Sequence, residues 1–367
     1  MPIEKEDVSS MTATQRLAMD IDHMRLQAAA QPQQYPSPIR RFGIELEFNL
    51  MDTHFNPSFS DVHVLQKLQD NTLCQECCKN QLEWNETLNF PIEGKFLSTL
   101  HQTMQKKMQY IQQATQKDSI YPLWIGSSPH LPEKDYLLDH IHPDYREIFK
   151  KITHLREMFQ NDPRSFTFTQ KLKTFINMSL LNSLQINIEL NPNQCMPEYH
   201  TLCALSAPIL SIATNAPAFN FHEQTMETRI FTSESHYQGN HCRIALGLPV
   251  KTLQQYFEYV AAAPILKVPQ ATSLHPFAQL QAQCSSHWFW NRLKIDPHNL
   301  FGHICIESRF LPAGPTAIDM AANAAFYLGL QQFYQTRLCL DQYARTNLYQ
   351  AAIHGLDATL IWQCKPI

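Results

Sequence analysis

Apolar and polar residues alternate strictly over Phe42-Gly43-Ile44-Glu45-Leu46-Glu47-Phe48-Asn49, the period of a strand with one buried face. Phe42, Ile44, Leu46 and Phe48 go to one side, Glu45 and Glu47 to the other. Three later segments repeat the arrangement. In Gln81-Leu82-Glu83-Trp84-Asn85, Gln81, Glu83 and Asn85 oppose Leu82 and Trp84. In 184–190, Gln185, Asn187 and Glu189 oppose four aliphatics, and in 303–310, His303, Glu307 and Arg309 oppose Ile304, Ile306 and Phe310. Two carboxylates on one face of an otherwise apolar strand repel each other and are tolerated in water or where cations sit between them. An amphipathic sheet with a solvated front accounts for any one of these strands. Four fronts built from Glu, Gln, Asn, His and one Arg, with no Lys, suit Mg²⁺ and phosphate oxygens better. The Arg suits a phosphoryl group in transfer.

Helical spacing fills most of the remaining chain. Residues 9–30 place Leu17, Ile21, Met24 and Ala28 on one face, and a Pro/Gln linker over 31–38 then breaks the pattern. Residues 1–38 therefore read as an N-terminal arm that packs or dimerises, and 39–367 as the catalytic domain. Strands are expected at 79–86, 121–126 and 175–190. Helices are expected near 61–70, 93–117, 143–160, 197–214, 316–344 and 346–360, with one capped by Thr252 running to 262. A polar loop over 232–242 has the composition of a lid, and His130 stands at a strand end. Strands separated by single helices, with alternating apolar patterns, predict an α+β fold: a sheet with helices on one face and a polar face opposite.

Composition narrows the chemistry. The chain has 367 residues, is 44% hydrophobic and 17% charged, and carries a net charge of -4, without the basic face a nucleic-acid partner needs. The acidic N-terminus is not a signal peptide, and no apolar run is long enough to span a membrane. The ten cysteines read as reduced thiols of a cytoplasmic protein. Cys74-Gln75-Glu76-Cys77-Cys78 lacks the second pair of ligands that a structural zinc needs. Only 9 glycines are present, and neither G-x-G-x-x-G nor a P-loop occurs. A bound nucleotide would therefore be held by side chains and metal ions.

At these residues the chain resembles the type 2 glutamate–cysteine ligases and the related carboxylate–amine ligases, over about residues 40–360. Gly43-x-Glu45-x-Glu47, Gln81-Leu82-Glu83, Gln185-Ile186-Asn187-Ile188-Glu189, Asn215-Ala216-Pro217, Arg229, Glu307-x-Arg309, Asn347 and Gly355-Leu356-Asp357-Ala358 resemble that family's motifs in order. The resemblance implies a glutamine-synthetase-like catalytic fold, related to the guanidino kinases, with a curved antiparallel sheet around ATP and Mg²⁺, Mn²⁺ being an alternative ion. It implies ATP-dependent phosphorylation of the γ-carboxylate of glutamate, then attack by an amine, cysteine in the named ligases. On this expectation Glu45, Glu47, Glu83 and Glu307 hold the metals, and Gln185 or Asn187 completes a metal shell or positions the acceptor carboxylate. Arg309 stabilises the phosphoryl group. Arg229 either pairs with a substrate carboxylate or makes a surface salt bridge, and for Arg243 the salt bridge is the plainer account. Asp144, Leu348 and Ile353 stand where relatives carry basic residues, which weakens contacts to an anionic substrate. Another amine, a phosphotransferase on a guanidino or carboxylate group, and a binding protein without turnover remain alternatives.

Overall fold

The computed structural model describes residues 42–88, 95–128, 138–155, 180–190, 193–217, 225–234, 243–266, 278–295, 304–362 and 365–366. The arm over 1–38, His130, His303 and residues 235–242 of the expected lid lie outside them.

The alternating segments form the sheet expected of them. Its strands are β1 (Phe42–Met51), β2 (Leu73–Gln75), β3 (Gln81–Leu88), β4 (Tyr121–Leu123), β5 (Leu184–Leu190), β6 (Asn291–Ile295) and β7 (Ile304–Ser308). The order is β2-β3-β1-β5-β7-β6, with β4 on the far end of β1, and every pairing is antiparallel. Register brings the like faces together. Leu46 pairs with Trp84 and Leu184, and Ile186 with Ile44. These side chains, with Ile188, Ile304 and Ile306, are fully buried and form the back of the sheet.

Helices cover that back. They are α1 (Asp61–Leu68), α2 (Phe96–Gln116), α3 (Pro143–Leu155), α4 (Cys195–Ala213), α5 (Thr228–Glu234), α6 (Leu253–Ala262), α7 (Ala278–Cys284), α8 (Ala317–Tyr334) and α9 (Ala344–His354). Phe96 of α2 packs edge-on against Phe42, Tyr327 of α8 lies against Phe310, and Asn291 donates to Ser206 of α4 at 2.8 Å. The described chain is a mixed helix and antiparallel-sheet fold: the patterning predicts the α+β class, and the resemblance implies the antiparallel pairing. A two-residue pair, β8 (Ile361–Trp362) with β9 (Lys365–Pro366), closes it. Asn347 clamps β8 through both amide atoms, each 2.8 Å from the backbone of Ile361. Leu348 faces the core and is fully buried.

Three expectations change. The helix expected over 316–344 stops at Tyr334, where Gln335 takes a positive φ of 49° and Leu338 is tied to the Thr201 hydroxyl of α4 through both backbone groups. Of the strand expected over 175–190, residues 175–179 lie outside the described ones, and the described part begins as β5 at Leu184. The front of the sheet is not free of lysine, because β6, absent from the sequence reading, joins the edge. Among the described residues, no helix is long and apolar enough to cross a membrane.

Candidate active site

The front of the sheet is polar from edge to edge, and its charge is sorted. Glu47 of β1 stands directly opposite Glu83 of β3. Both are over nine-tenths buried. Glu76, in the tight connection between β2 and β3, turns its carboxylate toward them. Among the described residues, Glu47, Glu76 and Glu83 form the group that could hold a metal ion, with ligand atoms within 4.8 Å of one another. Cross-strand carboxylates at roughly 5 Å repel by about 3 kcal/mol at an effective dielectric near 20. Burial, then the charge of Glu76, pushes the Glu47 carboxyl up to about 7. Burial, then Glu45, Glu76 and Glu47, holds the Glu83 carboxyl well above its usual range. Three clustered acids, two of them raised, are the donor set a hard divalent ion satisfies.

Neutral groups aim these carboxylates. The Ser183 backbone N–H donates to Glu47 at 2.6 Å, and the Gln185 amide donates to Glu47 at 2.7 Å and to Glu83 at 3.5 Å. Asn85 donates to Glu83 at 2.9 Å. The Tyr145 hydroxyl of α3 and the Cys77 N–H donate to Glu76 at 2.7 and 3.0 Å. Cys74, opposite Glu83 in register, points its thiol at the Glu83 carboxylate from 3.6 Å.

The other flank is cationic. Glu307 of β7 is fully buried and lies directly opposite Arg292 of β6. Arg292 and Arg309 each sit 2.6 Å from its oxygens, and the Lys294 ammonium is closer still. Burial alone would raise this carboxyl, but Arg292, Lys294 and Arg309 hold it well below its usual range. Lys294 also reaches Glu45 at 2.8 Å, and Asn187 donates to Glu45 at 3.0 Å. Arg309 donates to the Gln185 side-chain amide oxygen and approaches Glu47 at 4.0 Å. Gln185 thus joins the acidic flank to the basic one. The Asn187 side-chain amide oxygen is buried with no donor among the described residues.

Sequence reading therefore brings Glu45, Glu47, Glu83, Gln185, Asn187, Glu307 and Arg309 to one face, and the structure adds Glu76, Arg292 and Lys294. Glu45 and Glu307 lie outside the three-acid group, and both are paired with protein cations. Arg292 and Lys294 were legible in Asn291-Arg292-Leu293-Lys294-Ile295, which alternates like the other strands. Glu76 sits in an irregular turn that carries no such signal.

The two remaining arginines are neither surface salt bridges nor open to the front. Arg229 is 1% exposed, pairs with Glu227 at 2.6 Å, and donates to the Ser183 hydroxyl and the carbonyls of Arg309 and Phe310. It buttresses the segment whose Ser183 N–H orients Glu47. Arg243 is fully buried and donates to the carbonyls of Ser286 and Pro264 at 2.7 and 3.0 Å.

No family model and no curated protein matches this sequence. Solved structures do. A glutamate–cysteine ligase from Francisella tularensis in complex with AMP superposes with a TM-score of 0.57 at 12% identity, over 90% of this chain and 75% of that one. A bifunctional glutathione synthetase from Pasteurella multocida gives 0.55 at 10% identity, over 90% of this chain and 43% of that one. The chain thus spans less than half the length of the bifunctional enzyme. At these identities the likeness is one of fold, and the fold of this chain is similar to that of these two enzymes.

Proposed function

We propose that the protein is an ATP- and Mg²⁺-dependent carboxylate–amine ligase acting on the γ-carboxylate of glutamate through an acyl phosphate, with cysteine as the leading amine. The observation that carries this reading is the sorted charge on one sheet face: Glu47, Glu76 and Glu83 on one flank, Arg309, Arg292 and Lys294 on the other. The fold neighbours support it, one being a glutamate–cysteine ligase solved with AMP.

A divalent ion, when bound, neutralises phosphate oxygens and polarises the group in transfer. Glu47, Glu76 and Glu83 would hold it, and their donor chemistry fits, because three carboxylates converge there and burial and mutual repulsion raise two of them. Gln185 and the Ser183 N–H fix the Glu47 oxygens, so this side of the site is preorganised. Glu307 holds three cations toward the front and keeps Arg309 aimed at the seam between the flanks. There Arg309 would stabilise charge on the phosphoryl oxygens. Arg309 and Lys294 keep 16% and 24% of their side chains exposed, so they, rather than Arg229 or Arg243, are the cations an anionic substrate meets. A metal-ligand role for Glu45 or Glu307 requires Lys294 to turn away. The Asn187 side-chain amide oxygen, buried without a donor among the described residues, would accept from a substrate amine or a water.

The test is ADP release from ATP and Mg²⁺ with glutamate and a panel of amines, with products read by mass spectrometry. Release that needs both glutamate and an amine, with a γ-glutamyl product of matching mass, is expected. No release across the panel contradicts the ligase reading.

One observation favours a second reading, a nucleotide-binding protein without turnover: Lys294 already neutralises Glu45 and Glu307. That reading requires ATP binding unaffected by Glu47→Gln and no product under any condition.

A further inference from the structure

The turn that carries Glu76 is placed from outside the sheet. The β2–β3 register ends with Gln75 opposite Leu82, and the Glu76 N–H then donates to the Gln81 carbonyl at a long 3.3 Å. Glu47 and Glu83 lie within strands, so the pleat sets their direction. Residues 76–80 are irregular, so the pleat does not aim Glu76.

Two other segments hold this turn. One is the start of α1. Asp61 is 1% exposed. Its N–H donates to the Lys79 carbonyl at 3.1 Å, and its Oδ2 accepts from the Gln75 side-chain amide at 2.6 Å. The other is the stretch leading into α3. Cys78 bridges to Ile141, the Lys79 N–H donates to the His140 carbonyl at 2.8 Å, and the His142 N–H donates to the Cys77 carbonyl at 3.0 Å. One helical turn on, the Tyr145 hydroxyl reaches the Glu76 carboxylate at 2.7 Å.

The two segments meet at one atom. The buried His142 ring places Nε2 2.8 Å from the same Asp61 Oδ2. The His142 carbonyl starts α3 by accepting from the Arg146 N–H at 2.9 Å. Asp61 Oδ2 therefore ties the residue before Glu76 to the helix whose hydroxyl holds the Glu76 carboxylate. A buried carboxylate gains little net stability over apolar packing. What this one supplies is a fixed point shared by two chain segments.

On the reading that Glu47, Glu76 and Glu83 share a divalent ion, we propose that Asp61 is a positioning residue of that site. It fixes Glu76 through Gln75 from the strand side, and through His142 and Tyr145 from the helix side. Glu47 and Glu83 keep their places by strand register without it. Loss of Asp61 should therefore leave a two-carboxylate site that binds the ion more weakly.

Mn²⁺ binding to the full-length chain, followed by electron paramagnetic resonance in single and paired variants, tests this. Asp61→Ala should weaken Mn²⁺ binding by about 10-fold, the low end for partners that orient ligands. Gln75→Met, at an exposed position, breaks one arm without opening the core and should weaken binding in the same direction. Neither change should weaken it further in a Glu76→Gln chain, because residues that act through one group are not additive. A merely structural Asp61 would lower the melting temperature alike in both backgrounds and leave the affinity of the folded chain unaltered. Should Asp61→Ala fail to fold, the Gln75→Met pair decides. Unchanged Mn²⁺ affinity in the folded variants, or an equal loss in the Glu76→Gln background, overturns the proposal. A loss on Glu47→Gln in the same series would then leave the metal site standing. A wild-type chain that binds no Mn²⁺ overturns the site and the positioning role together.

Discussion

Glu47 and Glu83 face each other across β1 and β3, bridged by the Gln185 amide. A carboxyl raised from 4.5 to about 7, as at Glu47, takes up protons on folding between those two values. Stability of the metal-free protein should therefore fall as pH rises through that window and stay low above it. A divalent ion takes the proton's place. Mg²⁺ should raise the melting temperature more at pH 8 than at pH 5, and its affinity should tighten as pH rises through about 7, measured by calorimetry with proton release. Glu307 has the opposite sign. Its carboxyl is depressed by Arg292, Lys294 and Arg309, so its contribution is present above the unfolded value and is lost only in strong acid. Glu47→Gln or Glu83→Gln should weaken Mn²⁺ binding by at least about 100-fold, since loss even of an outer partner costs 10–100-fold. The fold should hold, and the metal-free melting temperature should stay level or rise, because each change removes a buried acid whose carboxyl is raised by burial and like charge. Arg309→Lys keeps the charge but loses the planar fork. If Arg309 stabilises the transferring phosphoryl group, kcat should drop by about 10³-fold, the low end for such arginines, with a smaller change in KM.

At the scale of elements, β6 decides the electrostatics. It carries Arg292 and Lys294 to the front beside Glu307 and Cys305, and it turns an acidic face into a divided one. Lys294→Met should free the Glu45 carboxylate and increase Mn²⁺ uptake, measured by electron paramagnetic resonance. Unchanged uptake would show that Lys294 does not compete with metal. The helix α6 shows how local signals fix an element. Thr252 accepts from the Gln255 N–H at 3.1 Å while the Gln255 side chain reaches back to the Thr252 N–H at 3.3 Å. Thr252→Ala should cost about 1 kcal/mol, read as a fall in the thermal midpoint. Such reciprocal caps and period-two alternation were legible in the sequence, and so were β1, β3, β5, β7 and most of the site's acids. The turn holding Glu76 was not, because its position depends on tertiary partners, Tyr145 and the Gln81 carbonyl. β6 was missed for a different reason: Asn291-Arg292-Leu293-Lys294-Ile295 alternates like the other strands, but its front carries cations in place of the acids and amides that mark them. Arg229 was placed in the right neighbourhood with the wrong surroundings, since sequence spacing cannot show that Glu227 and three other acceptors consume its donors.

At the scale of the molecule, the sheet is a partition. Its back is a continuous core shared with α2, α4 and α8, and its front gathers charge from β1, β3, β5, β6, β7 and one turn. Ile186→Ala, in the middle of the back, should destabilise by about 2–5 kcal/mol without altering which groups face the front. The central claim is that three front acids share one divalent ion beside a cationic flank that meets phosphate. Crystals grown with Mn²⁺ and a non-hydrolysable ATP analogue test it most directly, through the anomalous scattering of manganese. The account predicts a manganese peak bounded by Glu47, Glu76 and Glu83, with phosphate oxygens between it and Arg309. A nucleotide bound on this face with no manganese at those three carboxylates, or manganese bound elsewhere, would contradict it.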